Sequence, residues 1–232
     1  MRQTYDEQLT HLEVRLLQFG TFVEAMLDKA MRALVHHDMN LAREVVADED
    51  TSDDMDLGIE HLCMHLIAQQ QPMGSDLRFI GSTLKVIADV ERIGDYSKDI
   101  AKIAIALADT EYLKPLVDIP RMSDVVRDML HLALEALVKR DLELVQRVVA
   151  ADKEVDQLWR SLRQELETIM QQRPELVPQA TSLLLVARYL ERIGDHIENI
   201  VERVAYIETG QLTSLSSRHG AAVQHHPTPP SA

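Results

Sequence analysis

Through most of this chain, apolar residues recur at every third or fourth position, with few prolines or glycines to interrupt them. Leu12, Leu16, Phe19, Val23, Leu27, Ala30 and Leu34 keep that spacing across a single stretch, which is the apolar face of one long amphipathic helix. A chain patterned this way must pack helix on helix. Only 4% of its 232 residues are aromatic and eight are glycine, so Leu, Val, Ile, Ala and Met fill the interior, a composition suited to an all-α fold.

The helix boundaries follow from the breaks. The first helix stops near "HHDMN", where the Asp38 carboxylate is placed to N-cap the next. The second runs to about Gln70, before Pro72 and Gly74, and the third from about Asp76 past Leu107 to the interruption "TEYLKP". After Pro120 the pattern restarts: one helix from about Ser123 to "KRDLE", another ending before "RPELVP", and a last from about Gln179 to Glu208. The two halves align, "ALVHHDMNLAREVVA" beside "ALVKRDLELVQRVVA" at an offset of 103 residues and the third helices at 100. The chain is therefore a tandem repeat of a three-helix unit, over residues 1–112 and 113–210. Short connections make neighbouring helices antiparallel, and helices of about 30 residues span about 45 Å. Residues 211–232 lack periodicity and are expected to be a disordered tail.

The net charge of −14 argues against nucleic acid or an anionic membrane as a direct partner and favours cations or basic proteins. Cys63 stands alone, which fits a reducing compartment. No apolar run is long enough to cross a bilayer, and the N-terminal sequence lacks the apolar stretch of a signal peptide. A soluble, cytoplasmic protein is expected.

Each third helix carries Glu-Arg-Ile-Gly-Asp, at Glu91–Asp95 and at Glu191–Asp195. At 100° per residue, Glu91, Asp95, Asp99 and Lys102 form one stripe, opposite an apolar seam; Glu191, Asp195, Glu198, Asn199 and Glu202 repeat it. Gly94 and Gly194 fall at the edge of stripe and seam. Since glycine costs a helix about 1 kcal/mol, something must approach closely there. Arg92 and Arg192 are placed to screen or orient the acids. Paired carboxylates at i, i+4 repel, so these pairs are candidate ligands for a hard cation such as Mg, Ca, Mn, Fe or Zn. Glu24 with Asp28 and Asp124 with Asp128 are weaker candidates from the first helix of each unit. A solvated acidic face is the plain alternative. His61 and His65 flank Cys63 at zinc-ligand spacing, but the second repeat has no counterpart. No phosphate loop or nucleophile triad is present, so no catalytic residue is assigned.

With "QPMGSDLRFIGSTLKVIADVERIGD" and "LLLVARYLERIGDHIEN", the chain resembles the PhoU family of phosphate transport system regulatory proteins, from the first helix to about Gly210. The resemblance implies two three-helix bundles related by a pseudo-twofold axis, and a homodimer. It also implies a role in restraining high-affinity phosphate uptake and phosphate-starvation signalling, as an adaptor between the Pst transporter (its ATPase subunit) and a PhoR-type histidine kinase. The family's acidic motifs fall on Glu91, Asp95, Glu191 and Asp195; the resemblance implies iron or zinc clusters there in some members and no metal in others. Asp76 and Arg78 match its Asp-Leu-Arg element, and Asn199 its asparagine after the second motif, where the first copy has Asp99. Neither nucleic acid nor membrane insertion is implied. The rival readings are a metal-carboxylate enzyme and a metal-buffering helical protein.

Overall fold

The computed structural model describes residues 2–212, 214 and 215, with side chains from Tyr5 onward. Six long helices make up these residues, and no strand occurs among them. They are α1 (Arg2–His36), α2 (Met39–Gln70), α3 (Gly74–Leu107), α4 (Asp118–Lys139), α5 (Leu142–Gln172) and α6 (Val177–Thr209), with a 3₁₀ turn at Pro174–Leu176. The all-α, twofold-repeated architecture read from periodicity is the one observed. The expected tail lies largely outside the described residues.

The duplication extends to the backbone of the tight turns. His37 and Arg140, 103 residues apart, both take the left-handed conformation, with φ of 54° and 55°. Each is followed by an aspartate cap. Asp38 accepts from the amides of Asn40 and Leu41, both at 3.0 Å, and Asp141 from those of Glu143 and Leu144, at 2.8 and 3.4 Å. A cap of this kind satisfies amides that have no partner within the helix. Asp141→Ala is expected to lower the unfolding free energy by about 1 kcal/mol, measured by urea denaturation, with helix content unchanged.

One boundary differs from expectation. Helix α4 begins at Asp118, not near Ser123. Pro120 therefore sits inside its first turn, where a helix tolerates proline because those amides have no intrahelical acceptor. Pro178 opens α6 in the same way.

Within each repeat the three helices pack on one another, and the repeats meet through α3 against α6 and α1 against α4. The core is aliphatic. Leu12, Leu16, Val23, Leu27 and Leu34 of α1 are fully buried or nearly so, as are Val126, Met129 and Leu130 of α4. A local twofold relation shows along the α3–α6 seam. His196 Nδ1 lies 2.8 Å from Asp89 Oδ1, and at the positions 100 residues away Tyr96 stacks on Tyr189 at 5.4 Å. The linker between repeats is tied down by Tyr112, whose hydroxyl donates to the Leu34 carbonyl, and by Gln179, which accepts from the Leu113 amide at 2.7 Å.

Candidate functional site

The repeated motif lies near the middle of α3 and of α6, and its acids face the second helix of their own repeat. Gly94 and Gly194 are buried at that contact. A methyl group on Gly94 would come 3.1 Å from Ser52 Oγ of α2, and one on Gly194 would come 3.0 Å from Asp152 Oδ1 of α5. The neighbouring side chains of α2 and α5 thus occupy the space each glycine leaves.

In the first repeat Glu91 and Asp95 are bound to Arg92, at 3.4 and 3.0 Å. Asp95 also accepts from Lys98 at 3.0 Å, and Lys98 donates to Glu49 of α2 as well. Lys98 is 9% exposed. Burial acts against its charge, but the bonds to Glu49 and Asp95 outweigh it and hold the ammonium above its ordinary range. Burial raises the Glu91 carboxyl, assisted by Asp95 and opposed by Arg92. Asp99 pairs with Lys102 at 3.3 Å.

The second repeat keeps the outline and changes the charge. Glu191 is nearly buried, bonded to Arg188 at 2.6 Å with Arg192 at 4.0 Å. Arg192 also reaches Asp195 at 3.4 Å, and Asn199 donates to Asp89 across the seam at 3.0 Å. At the place of Lys98 stands Glu198, and at the place of Lys102 stands Glu202. Glu198 is 5% exposed and takes no hydrogen bond or ion pair from the described residues. Burial, then Asp152, Asp195 and Glu202, push its carboxyl up to about 8. The first stripe carries its own cation; the second gathers carboxylates at the same positions.

The weaker candidates do not join either stripe. Asp28 is bonded to Arg127 at 3.1 Å and lies 3.7 Å from Arg32. Asp124 shares Arg127 at 3.1 Å, Glu24 lies 3.5 Å from His131, and Asp128 is exposed on α4. Asp28, Asp124 and Glu24 belong to the α1–α4 contact between repeats. Asp76 accepts from Tyr5 at 3.2 Å and Arg78 donates to the Ile207 carbonyl at 3.4 Å, so the Asp-Leu-Arg element ties the start of α3 to α1 and to the end of α6. Cys63 is buried, its thiol pushed by burial up to about 12, while His61 and His65 are exposed.

The residues that complete the stripes come from α2 and α5, and the sequence reading passed over Glu49, Asp152 and Lys98. A signal for the first two was present. At the 103 offset Glu49 and Asp53 align with Asp152 and Asp156, a duplicated i, i+4 acidic pair like the one on the third helices.

For a metal, the two halves differ in fitness. In the first, the Lys98 ammonium stands between the carboxylates a cation would need. In the second, Asp152, Asp195, Glu198 and Glu202 offer only oxygen donors, the set a hard cation takes. Among the described residues no three such side chains are drawn together as a ligand set.

Known proteins share this architecture. The crystal structure of PhoU from Pseudomonas aeruginosa superposes with a TM-score of 0.86 at 34% identity, covering 89% of this chain and 100% of that one. The phosphate transport system regulatory protein PhoU from Streptococcus pneumoniae gives 0.84 at 30% identity, over 90% of this chain and 99% of that one. In sequence, the phosphate-specific transport system accessory protein PhoU homolog of Clostridium acetobutylicum is 36% identical across 93% of this chain and 99% of its own length. The homolog of the same name in Aquifex aeolicus is 35% identical over 89% and 93%. These names describe accessory and regulatory proteins, not enzymes. The PhoU domain is matched twice, at residues 16–104 and 119–204, one match to each three-helix unit, and the chain belongs to the PhoU family.

Proposed function

We propose that this protein is a non-enzymatic regulator of phosphate transport that restrains high-affinity uptake and starvation signalling when phosphate is plentiful. It does so as a cytoplasmic adaptor between the Pst transporter, through its ATPase subunit, and a PhoR-type histidine kinase. The observation that carries this reading is the near full-length match of both repeats to proteins named for phosphate-specific transport. No described helix is long and apolar enough to cross a membrane, so membrane proximity would come from docking. A net charge of −14 favours basic docking surfaces and fast association. To transmit a signal the adaptor must bind one transporter conformation more tightly than another, because equal affinity shifts nothing.

The test is complementation of a bacterium deleted for its own PhoU. Phosphate uptake in phosphate-replete medium is expected to fall severalfold when this chain is expressed, and the transporter ATPase to co-purify with it. Uptake that stays high, with no transporter subunit captured from stably expressed protein, would remove the adaptor reading. Sedimentation would show whether the working unit is the homodimer.

A second reading adds metal. The oxygen-only set at Asp152, Asp195, Glu198 and Glu202 favours a hard divalent or iron-type cation in the second repeat, where its charge would offset the carboxylates and tune docking. Stoichiometric metal by plasma mass spectrometry, lost in Glu198→Gln/Asp195→Asn and retained in Glu91→Ala/Asp95→Ala, is the expected result. Metal lost equally in both variants would refute the difference between repeats, and metal absent from the parent would remove this reading.

A further inference from the structure

We propose that the end of the molecule where the start of α3, the end of α6 and the turn at Arg140 meet is a docking site for an extended, lysine-bearing segment of another protein. The inference rests on neither the phosphate reading nor the metal reading.

The opposite end of the molecule shows such a segment in place. There His37, Gln179 and Leu107 stand at the positions aligned with Arg140, Phe79 and Ile207, and the non-helical linker between the repeats is bound among them. Tyr112 stacks on His37 at 4.4 Å. Gln179 holds the linker main chain twice, accepting from the Leu113 amide at 2.7 Å and donating to the Glu111 carbonyl at 2.8 Å. Lys114 then pairs with Asp118 at 3.4 Å and with Glu165. A main chain held by a polar side chain, and a lysine held by acids, close this end.

At the Arg140 end α1 continues as helix where the second repeat has the linker, and a cavity of about 280 Å³ stays open among the described residues. Leu9, Phe79 and Ile207 give it apolar walls, and Glu13, Asp76 and Glu208 give it acids. The Arg140 guanidinium lies 4.6 Å over the Phe79 ring, so the stacking seen at the other end is already supplied. Its Nη2 donates to Glu13 at 3.3 Å, whereas Nη1 is buried without a hydrogen-bond partner. Burial acts against the Arg140 charge, opposed by Glu13 and Glu208. An unpaired buried donor is costly, and the main-chain carbonyl of an extended segment satisfies it. Three carboxylates beside one guanidinium leave negative charge that a lysine ammonium offsets, its stem lying along the apolar wall. Met73, 83% exposed, and the exposed Leu77 and Leu212 stand at the same end and offer contact to apolar residues flanking the lysine.

The probe is the peptide acetyl-Leu-Lys-Leu-amide, titrated into the full chain with the Leu9 and Ile207 methyl resonances as readout. Saturable shifts in the millimolar range are expected, with affinity at least fivefold lower when norleucine replaces the lysine and at least tenfold lower when glutamate does. Arg140→Met is expected to weaken binding at least fivefold. Glu208→Gln, at an exposed position, is expected to weaken it at least threefold and decides the case if Arg140→Met does not melt cooperatively. Glu175→Gln, exposed at the opposite end, should leave affinity unchanged. Absence of methyl shifts, or equal affinity in the parent and Glu208→Gln, would overturn the proposal. An equal loss in Glu175→Gln would also overturn it, as attraction to the net charge alone. Methyl shifts that follow protein concentration without peptide would assign the cavity to a second copy of this chain instead.

Discussion

Replacing Lys98 by methionine is expected to lower the unfolding free energy of this protein by about 2 kcal/mol. Methionine keeps most of the buried stem and removes the ammonium. Glu49 and Asp95 then face one another, and Glu91 and Asp56, without the cation that now bonds the first two. Breaking a fully buried pair costs about 3–5 kcal/mol. Glu49 and Asp95 retain about a third of their exposure, so solvent recovers part of that loss and the lower figure applies. Urea denaturation at pH 7 measures it. A loss below about 0.5 kcal/mol, the range of ordinary surface substitutions, would mean that the Lys98 contacts are no better than an exposed ion pair.

The second large effect has the opposite sign and depends on pH. Glu198→Gln is expected to stabilise the protein at alkaline pH, by on the order of 3 kcal/mol at pH 9. The folded chain holds the Glu198 proton up to about pH 8, whereas an unfolded glutamate releases it near about 4.3. Below about pH 4 both states are protonated and the group makes no pH-dependent difference. Between about 4.3 and 8 the folded state binds the extra proton, so parent stability falls as pH rises; above 8 the loss is complete. Glutamine cannot ionise and escapes that loss. Thermal melts of parent and variant from pH 4 to 9 should therefore diverge progressively, the variant higher. Parallel curves would mean that Glu198 ionises as an ordinary surface acid. A cation bound on the stripe would narrow the divergence by favouring the carboxylate.

Together the two variants describe one asymmetry. The repeats share their helix order, aspartate caps and motif glycines, and their motif helices reverse charge at two aligned pairs, Lys98 with Glu198 and Lys102 with Glu202. The first stripe holds a lysine between its acids; the second has glutamates at the aligned positions, with Arg188 and Arg192 on Glu191 and Asp195.

The helices and their duplication were legible because both are local. An apolar face at Leu12, Leu16, Phe19 and Val23 needs only the 3.6-residue period to be seen. Asp38 was recognisable as a cap because the amides it serves lie two and three residues away. The start of α4 was misplaced because Pro120 was read as a break, although its ring fits the first turn. The motif acids were found by repetition, but α1 and α4 were offered as their partner helices. Periodicity gives the faces of one helix and says nothing about which neighbour each face meets. Only the packing of α3 on α2 and of α6 on α5 brought Glu49 and Asp152 to the stripes.

The amino-acid sequence alone determined the all-α class, the two three-helix units, the turn at Asp38 and the acidic stripes, since each depends on spacing within a single helix or turn. The tertiary structure decided what those stripes face. It placed Ser52 and Asp152 against the glycines, closed Lys98 onto Glu49 and Asp95, and buried Glu198 among carboxylates. The physical reason is that the state of a charge depends on the desolvation and the partners supplied by other helices, and these are fixed only when the helices pack.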